Sequence, residues 1–449
     1  MIGILSYLKQ RCQEDWLIGY DSHQFYQITE EFCRYCQSSS ARSKSYQILL
    51  VEPDPWKFLA FFLGAIAADF SVFLGNTQWQ QQEWEQLEQL LNLGGNYGQT
   101  IVLPATPSNS LVPSPAILIP TGGSSGKIRF AIHTWETLSN SVNGVQQYFS
   151  ISQINSFCVL PLHHVAGLMQ FLRSFLTGGK LVILPYKSLK QGERGAICFE
   201  DFFLSVVPTQ LEFLLESAPN WLSQFQTVML GGAAVSPSLL TAARKQRIRL
   251  AATYGMTETA SQIATLKPDD FLKGYSNSGQ VLPHAKIKII GDRGEYLGEN
   301  QPGIITIESS SLCWGYYPEL FLENTIFQTD DIGFLDEGGY LQIVGRNSQK
   351  IVTGGENVFP AEVEAAILAT KLVTDVAVIG IPDPIWGEAI TAVYVANKSG
   401  ICSINIQQAI KDKISKFKQP KHWIKLNELP RNQLGKLNYK KLRQIITNL

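Results

Sequence analysis

The chain has 449 residues, 45% of them hydrophobic, and a formal net charge of −1. This is the composition of a globular chain long enough for more than one domain, and it excludes an overall polycation built for nucleic acid or an anionic membrane surface. Only the C-terminal end departs from that balance. From Lys411 to Leu449 there are eleven Lys and Arg against two acidic residues, which suits either a solvated helix face or a polyanionic ligand.

The opening "MIGILSYLKQRCQEDW" lacks the basic start, long apolar stretch and small-residue cleavage site of a secretory leader, so the seven cysteines read as reduced thiols in a cytoplasm. Cys33 and Cys36 form a lone CxxC in a helix-like stretch, and with no second pair to complete a metal site they read as core. The most apolar window, "FLAFFLGAIAADFSVFLG" at 58–75, has eleven residues before Asp69. That is too few to span a bilayer, so no membrane insertion is expected, and the window predicts a buried helix followed by a buried strand. "QWQQQEWEQLEQLLNLGG" predicts a helix capped by its Gly pair.

Short runs rich in Val, Ile and Leu alternate with helical stretches: "YQILLVE", "SFCVLPL", "KLVILP", "TVMLGG" and "RLAATYG". Strands bracketed by helices argue for parallel α/β layers. After about residue 280, "AKIKIIGDRGEYL", "GIITIES" and "GFLDEGGYLQIVGR" are strands joined by Gly-containing turns, a β-rich subdomain. Near Arg346 the pattern resets. "PAEVEAAILAT", "VTDVAVIGIPD", "AITAVYVAN", "IQQAIKDKISKF" and "HWIKL" predict a compact α+β unit. The expected fold class is therefore α/β: a large N-terminal domain, residues 1–346, of α/β layers plus the β-rich subdomain, and a small C-terminal α+β domain, residues 347–449.

Residues 117–130, "ILIPTGGSSGKIRF", carry a strand into a Gly- and Ser-rich loop. A Walker loop needs four residues between its glycines and a hydroxyl after the lysine; here Gly122 and Gly126 enclose three and Ile128 follows Lys127. The ingredients still suit a phosphate. Small residues allow the backbone close, Thr121, Ser124 and Ser125 add hydroxyls, and Lys127 adds charge.

"PTGGSSGK", "ATYGMTETAS", "TDDIGFLDEGGYLQIVGR", "VTGGENVFPAEVE" and "LPRNQLGK" follow one another in this order. Together they resemble the signature set of the adenylate-forming superfamily of acyl- and aryl-CoA synthetases, over the chain from about residue 110 onward. The resemblance implies the adenylate-forming enzyme fold with a mobile small domain, ATP and CoA as co-substrates, Mg2+ as cofactor, and an acyl-adenylate intermediate. It implies that Thr121, Gly122, Gly123, Ser124, Ser125, Gly126 and Lys127 wrap the departing phosphates. Thr257 would contact the α-phosphate, Glu258 would bind the metal and Tyr254 would face the adenine. Asp331 would hold the ribose, with Asp330 beside it as the alternative, and Arg346 would touch the nucleotide. Lys436 would be the mobile catalytic lysine, bridging carboxylate and α-phosphate. The small domain would turn about a hinge near Ser348, bringing Gly354 and Gly355 to the pantetheine arm, and the basic end would then meet the anionic nucleotide of CoA.

"LPLHHVAGLMQFLRSFLTGGKLVILP", "SVVPTQLEFLL" and "LGGAAVSPSLL" resemble the o-succinylbenzoate–CoA ligase branch of the superfamily. That likeness implies a small aromatic carboxylic acid as partner, a gate at His164 (His163 being the near-equal alternative), and an acid pocket built from Gly231, Gly232 and Ala233. Val207, Pro208, Thr209 and Gln210 would form its rim. Arg173 would meet the second carboxylate of such an acid, or serve in a plain salt bridge. The other readings are a different aryl- or acyl-CoA ligase, a non-catalytic nucleotide- or acyl-binding module, and an adenylation domain feeding a carrier protein.

Overall fold

Strands that are apolar at every position, rather than every second one, need cover on both faces. Thr227–Leu230 and Ser71–Leu74 are buried at all their positions, and each belongs to a sheet covered by helices on both sides. The computed structural model of the chain describes residues 3–39, 46–95, 97–104, 113–122, 128–195, 197–321, 326–431 and 437–447. Among these, one sheet runs in the order Leu17–Ile18, Leu181–Ile183, Asn155–Cys158, Phe202–Val206, Thr227–Leu230, Leu250–Met256, Ser261–Thr265 and Gln280–Val281. Its pairings are parallel as far as Leu250–Met256 and antiparallel after it. A second sheet runs Glu319–Leu320, Gly315–Tyr316, Ile128–His133, Ile117–Gly122, Ser71–Leu74, Tyr46–Leu50 and Ile101–Pro104.

Helices Pro55–Ala67, Trp135–Phe149 and Val165–Thr177 lie between the two sheets, where Leu59, Phe62, Leu138 and Phe171 meet Ile48, Ile117 and Leu181 in one core. Trp84 and Leu87 of helix Gln81–Leu91 cover the outer face of the second sheet with Phe73 and Phe130. Helices Pro208–Ser217 and Pro237–Lys245 cover the outer face of the first, over Leu204, Val228 and Leu250. The outcome is five layers, consistent with the α/β expectation. The 58–75 window is the buried helix Pro55–Ala67 followed by the buried strand Ser71–Leu74, and Asp54 starts the helix by accepting from the amides of Trp56 and Lys57. Cys33 and Cys36 are buried in helix Ser22–Ser39. No described helix is long and apolar enough to cross a membrane.

Two boundaries differ from the pattern. Helix Gln81–Leu91 is capped by Asn92 in the left-handed conformation, not by the Gly pair; Gly94 and Gly95 instead donate their amides to the Glu88 carboxylate. The helix expected over 406–417 spans Ser403–Ile410, and the Gln419 side chain donates to the Lys411 carbonyl just beyond its end.

The β-rich part is an antiparallel sheet of Ala285–Ile290, Gly303–Ser309, Ile326–Leu335 and Leu341–Arg346. After the single turn Asn347–Gln349, strands Ile351–Thr353, Glu356–Val358, Val373–Asp383, Gly387–Ala396 and His422–Lys425 form the last sheet. Helices Pro360–Leu368 and Ser403–Ile410 pack on one of its faces and Tyr439–Thr447 on the other.

Gly255 marks a point where side-chain volume is excluded. The register between Leu250–Met256 and Ser261–Thr265 shifts at Tyr254/Gly255, and a methyl at Gly255 would overlap the Ser261 carbonyl and the Gln262 Cα. We expect Gly255→Ala to destabilise the protein by about 1–3 kcal/mol, the usual cost of overpacking. A urea midpoint that falls at constant slope is the readout, and an unmoved midpoint contradicts the close approach.

Candidate active site

Parallel strands end along one edge of their sheet, where loops are free to converge, and ligands of open α/β sheets bind there. Beyond Asn155–Cys158 come His163 and His164; beyond Phe202–Val206 come Val207, Pro208 and Thr209; beyond Thr227–Leu230 come Gly231, Gly232 and Ala233. Leu250–Met256, next in the sheet, carries Tyr254 and runs into Thr257 and Glu258. The topology therefore brings the predicted acid-pocket and nucleotide residues to one edge.

Asp331 lies on Ile326–Leu335 opposite Arg346 on the neighbouring strand. Its carboxylate accepts from the Tyr254 hydroxyl at 2.8 Å and from Arg346 Nε at 3.2 Å. Burial and the facing carboxylate push the Tyr254 phenol up, so it stays a donor. Asp330 points the opposite way, as strand alternation requires. It accepts from the Ser348 amide at 2.9 Å and from the Ser348 hydroxyl. The two adjacent acids thus have separate partners.

Thr257 and Glu258 sit in the short turn Thr257–Thr259, fixed from several sides. His133 Nε2 meets the Thr257 carbonyl at 2.8 Å, so that nitrogen carries the proton, and Nδ1 faces the Thr137 hydroxyl at 3.0 Å. The Cys313 amide donates to the Glu258 carbonyl, the Ser311 hydroxyl to the Thr259 carbonyl and the Ser141 hydroxyl to the Ala260 carbonyl. Tyr316 donates its hydroxyl to Glu258 Oε1. Burial and the Glu258 charge push the Tyr316 phenol up.

Arg173, on helix Val165–Thr177, is buried without an ion pair among the described residues, so the plain salt-bridge alternative is not what the structure contains. Its Nη2 donates to Gln262 Oε1 at 2.7 Å and Ser261 Oγ at 2.9 Å, while Nε is buried without a partner. Burial lowers its pKa to about 10, which leaves it charged at neutral pH. His284 lies within its field; both ring nitrogens are buried and unpartnered, and burial, then Arg173, holds its pKa down to about 4.

The rings of His163 and His164 meet at a tilt of 50° with centroids 4.3 Å apart. His164 is the N-cap of helix Val165–Thr177, its carbonyl accepting from Gly167 and Leu168. His163 Nε2 is buried without a partner, and burial, then His164, lowers its pKa to about 3. The Gln210 side-chain carbonyl accepts from the Val207 amide at 3.2 Å, closing the start of its helix. Thr209 lies in the first turn of that helix.

Gly354 and Gly355 both adopt left-handed backbone in the hairpin between Ile351–Thr353 and Glu356–Val358, and Gly354 packs against Trp386. The Gly354 amide donates to the Trp386 carbonyl, and Lys421 Nζ lies 4.3 Å from the centroid of the Trp386 ring. Thr121 and Gly122 pair with Arg129 and Ile128 in an antiparallel ladder. Gly123, Ser124, Ser125, Gly126 and Lys127 lie outside the described residues, as does Lys436. The flank of Lys436 is described: Arg431 bridges to Leu437 and holds Asp375 with two hydrogen bonds of 2.8 and 2.7 Å.

Sequence reasoning missed His133, His284 and Tyr316. His133 ends an apolar strand, and nothing in its local pattern separates it from a surface residue. Tyr316 follows a glycine in a run of aromatics with no spacing that implies an acid partner.

A family model for an AMP-binding enzyme matches residues 47–317, and one for the AMP-binding enzyme C-terminal domain matches 362–436. Indoleacetate–CoA ligase of Aromatoleum aromaticum is 30% identical over 413 residues, covering 89% of this chain and 79% of the relative. 2-Succinylbenzoate–CoA ligase of Enterococcus faecalis is 31% identical over 338 residues, covering 72% of this chain and 68% of the relative. The solved o-succinylbenzoate CoA synthetase of Bacillus subtilis with its acyl-adenylate superposes with a TM-score of 0.81 at 23% identity, covering 97% of both chains. ATP-bound MatB of Rhodopseudomonas palustris gives 0.83 at 20% identity, covering 99% of this chain and 98% of its own. These structures share the fold: a large N-terminal and a small C-terminal domain.

The buried histidines make the site acid-labile. An unfolded imidazole protonates near its ordinary 6.5, whereas His133 resists until about 4 because burial disfavours the cation. Below pH 6.5 the unfolded chain therefore binds a proton that the folded one refuses. The contribution is complete above 6.5 and falls as the pH drops toward 4, by about 3 kcal/mol for His133. We expect urea stability to decline between pH 6.5 and 4, with a shallower slope in His133→Asn, which keeps a donor for Thr257. Equal slopes contradict the assignment.

Proposed function

Because the chain belongs to the AMP-binding enzyme family, we propose that it is an AMP-forming acid–CoA ligase whose acid is 2-succinylbenzoate, a step of menaquinone or phylloquinone biosynthesis. The acid's carboxylate oxygen would attack the α-phosphorus of ATP, forming an acyl-adenylate and releasing pyrophosphate. The thiol of CoA would then attack the acyl carbon, forming the thioester and releasing AMP. The family membership, the ligase relatives and the strand-edge grouping of Tyr254, Glu258, Asp331 and Arg346 support the reaction class. The one observation that favours this acid is Arg173: a buried guanidinium without a carboxylate partner among the described residues. An acid that keeps a second carboxylate after activation would supply that partner.

In this reading the ribose hydroxyls bind Asp331, whose Tyr254 and Arg346 contacts preset the carboxylate. Tyr254 faces the adenine, and Thr257 meets the α-phosphate. Residues 121–127 take the departing phosphates, and His164 gates the reacting carboxylate. Lys436 stabilises the charge that gathers as the acyl–phosphate bond forms.

Mg2+, when bound, neutralises phosphate charge. The donor set suits it: among the described residues no group of three or more His, Cys, Asp or Glu is assembled, and a single carboxylate beside substrate phosphates is a usual Mg2+ arrangement. Glu258 would be that carboxylate. We place the domain boundary after Arg346 and the hinge near Ser348, so that Gly354 and Gly355 come to the pantetheine arm in the second step. The proposed compartment is the cytoplasm, in keeping with the unpaired cysteines.

A second reading has a specific basis, the indoleacetate–CoA ligase likeness. An acid with one carboxylate would leave Arg173 unmatched once that group is activated. A purified-enzyme panel of 2-succinylbenzoate, indoleacetate, benzoate and a fatty acid, read as AMP and thioester formed, decides between the readings. We expect turnover with the first, and turnover confined to the others sinks it. Arg173→Met should raise the KM for 2-succinylbenzoate at least tenfold, in line with the loss of a charge-assisted hydrogen bond. Lys436→Ala should lower acid-dependent pyrophosphate release by about a hundredfold or more. Undiminished release in that variant returns the chain to a binding role.

A further inference from the structure

The segment 313–317 reaches Glu258 twice. Its Cys313 amide donates to the Glu258 carbonyl at 2.8 Å, and its Tyr316 hydroxyl donates to Glu258 Oε1 at 2.5 Å. The segment is itself fastened to Ile128–His133, the strand that follows the phosphate loop: Trp314 donates to the Ile132 carbonyl, Tyr317 to the Phe130 carbonyl, and Tyr316 pairs with Ala131. The Tyr316 ring has little room to turn. The Arg129 guanidinium lies 4.8 Å over it, and Phe321 meets it edge-on at 5.5 Å. Arg129 is in turn the ladder partner of Thr121 at the other side of the loop base.

We propose that Tyr316 is a positioning residue for the metal carboxylate: its hydroxyl fixes one oxygen of Glu258, and Arg129 fixes Tyr316, so that the remaining carboxylate oxygen is free for Mg2+. The proposal rests on the reading of Glu258 as the metal carboxylate. A glutamate has three side-chain torsions, and in a half-buried turn an unheld carboxylate would divide its time among rotamers. A hydrogen bond from a neutral donor selects one of them while leaving most of the acceptor capacity free. Because Arg129 lies on Ile128–His133 and Tyr316 on the strand paired with it, the metal carboxylate is referenced to one rigid sheet edge. A separate loop could not hold it as closely.

The test uses the full-length protein and equilibrium binding of ATP by calorimetry, without acid or CoA, once with Mg2+ and once with EDTA. The metal-dependent gain in ATP affinity should shrink about tenfold in Tyr316→Phe, with EDTA-state affinity unchanged. In pyrophosphate exchange the Mg2+ concentration for half-maximal rate should rise by a similar factor, while the rate at saturating Mg2+ stays within about twofold. Glu258→Gln separates the two claims. If it leaves the metal-dependent gain intact, the metal reading of Glu258 fails. If it removes the gain while Tyr316→Phe does not, only the positioning role fails. Tyr316→Phe added to Glu258→Gln should cost nothing more, because the two act through one contact; a purely structural tyrosine would weaken ATP binding additively and in EDTA as well. Should Tyr316→Phe fail to fold, Arg129→Gln, which removes only the ring contact, carries the same comparison with a loss of about threefold, and an unchanged metal dependence there overturns the proposal.

Discussion

The nucleotide side of the molecule depends on one buried carboxylate. Asp331 is taken out of water on an inner strand, a placement that costs several kcal/mol unless donors replace the lost hydration. The replacements come from different places, Tyr254 from the parallel-strand edge and Arg346 from the adjacent antiparallel strand, while the Thr329 hydroxyl accepts from the Asp331 amide. Satisfying that carboxylate joins the large eight-stranded sheet to the antiparallel sheet at a fixed distance. The period of two along the same strand turns Asp330 outward, where it holds Ser348 in the turn that leads to the last sheet. One dipeptide therefore connects three sheets, inward through Asp331 and outward through Asp330.

The Thr257–Glu258 turn shows how polar groups are fixed without rigid secondary structure. Ala260 and Ser261, which are not glycine, both carry positive φ, at 53° and 108°. Such backbone costs of order 1–3 kcal/mol per residue and persists only where its surroundings over-determine it. Here they do: His133, Ser141, Ser311 and Cys313 each hold a carbonyl of the turn. His133 does so through a protonated Nε2, and burial keeps the ring neutral by opposing a second proton on Nδ1.

Much of this was readable from sequence. The parallel strands, the buried helix–strand pair at 58–75 and the β-rich part after residue 280 follow from apolar runs and turn residues, which are local signals. The ordered motifs led to the strand-edge residues because each lies within a few positions of a strand's end. What escaped was long-range. Tyr316 lies 58 residues from the Glu258 it holds, and His133 is 124 residues from Thr257. Neither has a periodicity that encodes its partner.

Charge gives the last step about the acid. Gln262, Ser261 and Met229 surround Arg173 with neutral groups, and the histidine in its field is kept neutral by burial. Neutral hydrogen bonds recover part of the hydration energy of a guanidinium but none of its Coulomb energy, so the described surroundings of Arg173 leave its positive charge uncompensated. A monocarboxylate cannot use it, since its one charge is consumed when the acyl–phosphate bond forms and has to lie at the α-phosphate. A dicarboxylate can, because its second charge survives both half-reactions. For the acid proposed above, that charge would discriminate by valence as well as by shape: an aromatic monoacid of similar size would leave the buried cation unpaired, a penalty of the kind that separates substrates far better than a missing methylene does.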